Sequence, residues 1–247
     1  MVETPLAIVT GGAHGLGRAF VLALAEKGFA VLLHYHTAEE QAFDTVGLAQ
    51  HFQVPAFSCQ ADLRDPQQIG KLFAYVDELL ESPETGVSHL LVLVNSAARI
   101  ASTNAMDVSL EEWGGMLDLN LRAPFLCAQQ AAHRMNAGGL IVNITDIGAS
   151  KTWSRFPVYT VSKAGLETLT RVMARALAPT IRVNAIAPGL VSRSNLIPPD
   201  EWEKLSKKVP LGRPATPEEI ASALDYLIEN EYVTGQTIVV DGGYALI

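Results

Sequence analysis

Short, uninterrupted apolar runs alternate along this chain with longer stretches whose apolar positions recur at helical spacing. Leu6–Val9, Ala30–Leu33, Val54–Cys59, Leu90–Val94, residues 140–145, Thr180–Ala187 and Gln236–Val240 read as strands. Residues 18–27, 38–52, 66–82, 109–136 and 158–178 read as helices, and a last one starts at Pro217-Glu218-Glu219. Strands that are apolar throughout belong in a sheet covered on both faces, which is the habit of parallel sheets. The pattern predicts an α/β fold over residues 1–247: one doubly wound parallel sheet of about seven strands with helices on both faces. The polar stretch 190–215, with Pro198-Pro199, Lys207-Lys208 and Pro210, is the longest irregular segment and the expected substrate lid.

Composition narrows the partners. Apolar residues make up 49% and charged residues 18%, so the chain is core-rich and globular. A net charge of −8 disfavours nucleic acid or an anionic membrane as the main partner and leaves a small-molecule substrate. Cys59 and Cys127 lie in apolar contexts without metal spacing, as free thiols of a reducing compartment do, and no metal is expected. No apolar run approaches the roughly 20 residues of a membrane span. Met1-Val2-Glu3-Thr4-Pro5 has no basic leader pattern, so a cytoplasmic location is expected.

The first strand runs straight into Thr10-Gly11-Gly12-Ala13-His14-Gly15-Leu16-Gly17 and then a helix. Glycines let the backbone approach a pyrophosphate, and a helix start offers free N–H groups, so this is the context of a dinucleotide site in a Rossmann-type domain. The second strand ends His34-Tyr35-His36-Thr37, with no carboxylate to accept from a ribose 2′-OH and none to repel a 2′-phosphate. That leans toward NADPH. The arginine expected beside such a phosphate is absent, which leaves His14 and His36; a phosphate beside them would favour their cationic form. Asn120 falls mid-helix, where Asn is a poor former and wants a reason. Tyr159 and Lys163 stand at i and i+4 on one helix face, where an ammonium beside a phenol lowers its pKa and makes it a proton donor and acceptor.

With these pieces in order, the chain resembles the short-chain dehydrogenase/reductase family over about residues 5–245. The motifs are Thr10-Gly11-xxx-Gly15-x-Gly17, Asp62-Leu63, Asn95-Ser96-Ala97, Asn120, Tyr159-xxx-Lys163, Pro188-Gly189 and Asp241-Gly242-Gly243. The resemblance implies that the glycine loop, with Leu16 and Tyr35 beside it, holds NADPH. It implies that Asp62 accepts from the adenine amino group with Leu63 adjoining, and that Asn95 lines the adenosine and ribose next to Ser96 and Ala97. Tyr159 would be the general acid/base, and Lys163 would bind the nicotinamide ribose. Asn120 would hold a water in a relay behind Lys163, and Pro188-Gly189 would pack along the nicotinamide. It also implies a homotetramer through the helices around 109–136 and 158–178.

One departure carries information. The family usually has a Ser thirteen positions before the Tyr, and this chain has Asp146. An ionised carboxylate cannot donate to a substrate carbonyl. It can accept from a ring N–H, or, held protonated by burial, act as an acid. Both readings favour a C=N bond over a plain ketone. Such an Asp occurs in pteridine reductases and bacterial dihydromonapterin reductases, whose strand end Leu33-His34-Tyr35-His36 also resembles. Against a full match, Arg99 stands where those enzymes usually carry an aromatic, and Gly15 where they usually carry Arg. The expected substrate pocket comprises Arg99, Asp146, Trp153 and Tyr159, with Phe156 and Trp202 as further aromatic walls. The leading expectation is an NADPH-dependent pterin-like reductase. The alternatives are a carbonyl reductase or alcohol dehydrogenase, and an inactive cofactor-binding sensor.

Overall fold

Seven parallel strands form one sheet in the order β3-β2-β1-β4-β5-β6-β7. They are β1 (Thr4–Thr10), β2 (Ala30–Tyr35), β3 (Ala56–Gln60), β4 (Val87–Asn95), β5 (Met135–Ile144), β6 (Ile181–Pro188) and β7 (Thr237–Val240). The structure, a computed structural model, describes residues 4–193 and 196–247; Met1–Glu3 of the N-terminal segment and Ser194-Asn195 of the expected lid lie outside the described residues. Leu6, Ala7, Ile8 and Val9 of β1 are all 0% exposed, which is why that strand shows no polar alternation. β1 pairs with β2 on one side and β4 on the other, so the strand order reverses there. A crevice opens beyond the carboxyl ends of the strands at such a point.

The helices α1 (Gly15–Glu26), α2 (Glu39–Gln50) and α3 (Pro66–Glu81) cross over between the first strands. Asp65 caps α3 by accepting from Gln67 N–H, with Pro66 in the first turn. The expected continuous helix 109–136 is instead α4 (Leu110–Leu117), a π-helical turn over Asp118–Arg122, and α5 (Ala123–Ala132). Met135, read as helical from the sequence, pairs with Leu90 of β4 and starts β5. A short α6 (Gly148–Lys151) follows β5, and α7 (Pro157–Leu177) carries Tyr159 and Lys163.

The expected irregular stretch 190–215 contains a helix, α8 (Pro199–Lys208). Pro198-Pro199 starts it and Lys207-Lys208 ends it. Asp200 and Glu201 lie in the first turn and the lysines in the last, each matching the helix dipole. The last helix, α9 (Pro217–Glu229), opens with a Thr216/Glu219 capping box.

Candidate active site

The glycine loop and its surroundings frame a cavity of about 350 Å³ at the β1/β4 crevice. Gly11, His14, Gly15, Leu16, Gly17, Tyr35, His36, Leu63, Ser96 and Ala97 line it, as expected. Glycine is required at two of these positions. Gly11 has φ +67°, and a Cβ there would stand 2.9 Å from Ala97 Cα. A Cβ on Gly17 would stand 2.0 Å from the Gly11 carbonyl oxygen. His14 precedes α1 without a side-chain cap, so the first N–H groups of the helix remain directed into this crevice.

A second cavity of about 520 Å³ adjoins Asp146. Trp153, Phe156 and Trp202 line it, with Ile100, Gly189, Leu190 and Tyr244. The Tyr159 hydroxyl donates to Asp146 Oδ2 at 2.8 Å, while Asp146 Oδ1 accepts from Gly148 N–H at 2.6 Å. The turn into α6 thus sets the first amide of that element against this carboxylate. Lys163, 3% exposed, donates from Nζ to the Ile144 carbonyl at 2.7 Å and lies 5.8 Å from the Tyr159 ring centre.

Burial raises the Asp146 carboxyl pKa against the opposing Gly148 and Tyr159 hydrogen bonds. Burial, then the Asp146 charge, holds the Tyr159 phenol well above its usual value. Burial brings Lys163 down to about 8, against the pull of Asp146. This corrects the expectation that Lys163 depresses the phenol. The carboxylate is in direct contact and the ammonium is turned to a carbonyl, so desolvation and Asp146 win. The phenol accordingly keeps its proton and is set up as a donor.

Asn120 is 0% exposed, on the π turn. Its Oδ1 accepts from Arg99 N–H at 3.0 Å, and its Nδ2 donates to the Arg99 carbonyl at 2.9 Å and to Ser162 Oγ at 3.1 Å. Ser162 Oγ donates to the Tyr159 carbonyl at 2.6 Å. The Asn120 side chain thus braces α7 and the loop after β4. Ser162 is a brace that sequence reading missed; its place between Tyr159 and Lys163 was the available signal.

Asp62, Asn95 and Arg99 do not line either cavity. Asp62 faces a neighbouring depression, where Arg64 donates to both its oxygens at 3.1 Å (Nε–Oδ2), 3.0 Å (Nε–Oδ1) and 2.7 Å (Nη2–Oδ2), and the pair holds its pKa down to about 2. Asn95 turns into the sheet, where Nδ2 donates to Asn143 Oδ1 at 2.9 Å across the β4–β5 pair. Arg99 is exposed, with its guanidinium over Gly115 of α4, and its neighbour Ile100 faces the second cavity in its place. Pro188 accepts from Ile147 N–H at 3.2 Å, which ties the end of β6 to the Asp146 turn.

Arg155 fastens the mouth of the second cavity. It donates to Glu201 Oε1 at 2.8 Å, the Leu196 carbonyl at 3.0 Å and Ser102 Oγ at 3.3 Å, and lies over the Phe156 ring. Among the described residues no group of His, Cys, Asp and Glu could hold a metal ion, and no helix is long and apolar enough to cross a membrane.

Comparison with known proteins agrees with this architecture. The 3-oxoacyl-[acyl-carrier-protein] reductase FabG of Staphylococcus aureus is 32% identical, over 98% of this chain and 99% of the relative. The FolM alternative dihydrofolate reductase 1 of Brucella suis, solved with NADP, is 32% identical with a TM-score of 0.89, covering 100% and 97% of the two chains. The angucycline C-6 ketoreductase LanV, with bound NADP, is 30% identical with a TM-score of 0.93, covering 100% and 97%. A family model described as enoyl-(acyl carrier protein) reductase matches residues 11–245. With that match over nearly the whole chain, and the glycine loop, Tyr159 and Lys163 gathered at the strand ends, the chain belongs to the short-chain dehydrogenase/reductase family of oxidoreductases.

Proposed function

We propose that the chain is an NADPH-dependent reductase acting on a C=N bond of a pterin-like heterocycle. The observation that carries this reading is the hydrogen bond from Tyr159 to Asp146, a carboxylate that itself lines an aromatic cavity. The glycine loop fits a dinucleotide: Gly11 and Gly17 leave no room for a Cβ, so the loop backbone folds tightly around the start of α1 beside the open crevice. NADPH bound there supplies the hydride for the ring carbon. Tyr159 holds a proton for the ring nitrogen. Asp146 accepts from a neighbouring ring N–H when ionised and carries a proton itself when protonated. Trp153, Phe156 and Trp202 shield the reacting edge from water. Asn120 and Ser162 hold the Tyr159 turn in place. The FolM neighbour lends this reading support.

The FabG and LanV likenesses favour a second reading, reduction of a ketone. NADPH turnover on dihydrobiopterin or dihydromonapterin, set against a panel of ketones, separates the two; activity on ketones alone ends the pterin reading. Asp146→Ser is expected to cut dihydropterin reduction by about 10- to 100-fold and to raise ketone reduction, because a hydroxyl donates where a carboxylate accepts. Unchanged pterin kinetics in that variant would refute the role of Asp146.

The NADPH preference is assigned to His14 and His36, which face the cavity beside a strand end without a carboxylate. His36 also stands 3.9 Å from Asp62, whose charge is already engaged by Arg64. His14→Leu and His36→Leu should each lower the NADPH/NADH ratio of kcat/KM, because each removes a hydrogen-bond donor for the 2′-phosphate. An unchanged ratio in both variants would remove both as phosphate partners. We read the apolar groove of Leu117, Leu121, Phe125, Leu169 and Val172 as a subunit contact of a homotetramer.

A further inference from the structure

His34, which takes no part in the Tyr159–Asp146 pair, fastens the glycine loop. It lies on β2, 3% exposed, and faces the cavity of the glycine loop. Its Nδ1 accepts from Gly11 N–H at 3.1 Å. Its Nε2 lies 2.9 Å from the Ala61 carbonyl, and a carbonyl only accepts, so Nε2 bears the proton and donates. The ring is therefore the neutral Nε2–H tautomer. Burial supports this, bringing its pKa down to about 4 against the opposing Ala61 carbonyl, with His36 and Asp62 as the charged neighbours.

The main chain of the same residue accepts from Gly12 N–H at 3.0 Å. One residue thus fixes two successive amides of the loop and ties them to Ala61 at the end of β3. On its other side the loop abuts Ala97, where a Cβ on Gly11 would come within 2.9 Å of backbone. The loop is held between a rigid strand end and the imidazole.

We propose that His34 is a positioning residue for the cofactor: its ring orients the Gly11 peptide, and with it the amides that meet the pyrophosphate. The inference rests on the reading that this cavity takes NADPH. It concerns the diphosphate part of the ligand and not the adenosine 2′-phosphate, which His14 and His36 serve.

The test is fluorescence titration with NADPH of wild type, His34→Leu, His34→Asn and His34→Gln. Displacement by adenosine 2′-monophosphate, which has no pyrophosphate, is measured alongside. The Asn amide oxygen stands where Nδ1 stood and still accepts from Gly11. Leu removes both ring bonds, and Gln favours the bond to Ala61. The Leu and Gln variants should weaken NADPH by at least about 10-fold and leave the 2′-monophosphate within about 2-fold, while Asn stays within about 3-fold of wild type. Equal NADPH affinity in all four proteins overturns the inference. So does an Asn variant as weak as Leu, which makes the ring a mere core filler. If Leu does not fold, the contrast between Asn and Gln decides by the same criterion. Absence of NADPH binding by wild type would overturn the cofactor reading itself, and the role of His34 with it.

Discussion

Tyr159→Phe is expected to lower kcat by about 1,000-fold or more on whichever dihydropterin or ketone the wild type reduces, with NADPH affinity nearly unchanged. The ring packs with Met116, Phe156 and Val158, and Phe keeps that packing. Only the hydroxyl is lost, and with it the proton that burial and Asp146 together retain on the phenol. What remains in the variant is the Asp146 carboxyl, raised by burial. If it delivers a proton, the residual rate should grow as pH falls. Wild-type turnover should fall as pH rises through about 8, where Lys163, expected at the nicotinamide ribose, loses the charge it would offer there. Stopped-flow loss of NADPH absorbance measures the step; a decrease of less than about 10-fold would remove Tyr159 as the proton donor.

Gly17→Ala should abolish useful NADPH binding, with affinity down by at least about 100-fold. The added Cβ would lie 2.0 Å from the Gly11 oxygen, 2.8 Å from the Gly11 carbonyl carbon and 3.1 Å from Gly12 Cα. All three are backbone atoms and cannot swing aside as a side chain would. Gly11 has no room to retreat either, since it already abuts Ala97 and is bonded to His34. The loop must open, and the geometry of its amides is lost. Gly47→Ala is the control: its Cβ would meet nothing within 4 Å in α2, and the change should stabilise the helix by about 0.5–1 kcal/mol. Calorimetric titration with NADPH and thermal melts of both variants check the pair. Near-normal NADPH affinity in Gly17→Ala would mean that the loop is softer than its contacts imply.

The middle of the sheet was legible in the chain because Leu6–Val9 and Ala30–Leu33 are buried on both faces and carry no polar interruption. Helix α8 was legible in principle, since Pro198-Pro199 and Lys207-Lys208 are start and stop signals, but its polarity masked them. The break in the helix at 118–122 was not legible. Asn120 bonds to Arg99 and Ser162, 21 and 42 residues away in sequence, and local periodicity has no access to such partners. The same holds for Asn95, whose amide is claimed by a cross-strand partner 48 residues on. Motif position brought Asp146 and Tyr159 together correctly. It could not weigh burial against a neighbouring ammonium, and so the direction of the phenol shift came out reversed.

The Arg155 clasp bears on how selectivity could change over evolutionary time. α8 contributes no fully buried residue; the segment is held at the mouth of the cavity by the Arg155 guanidinium, which reaches Leu196 and Glu201, and by Leu205, packed against Ile147, Val209 and Tyr244. Drift in residues 196–208 therefore leaves the sheet's foundations untouched, provided an acid remains for the guanidinium. A combinatorial library confined to the exposed positions of that stretch would therefore vary the rim of the second cavity at little cost in folding.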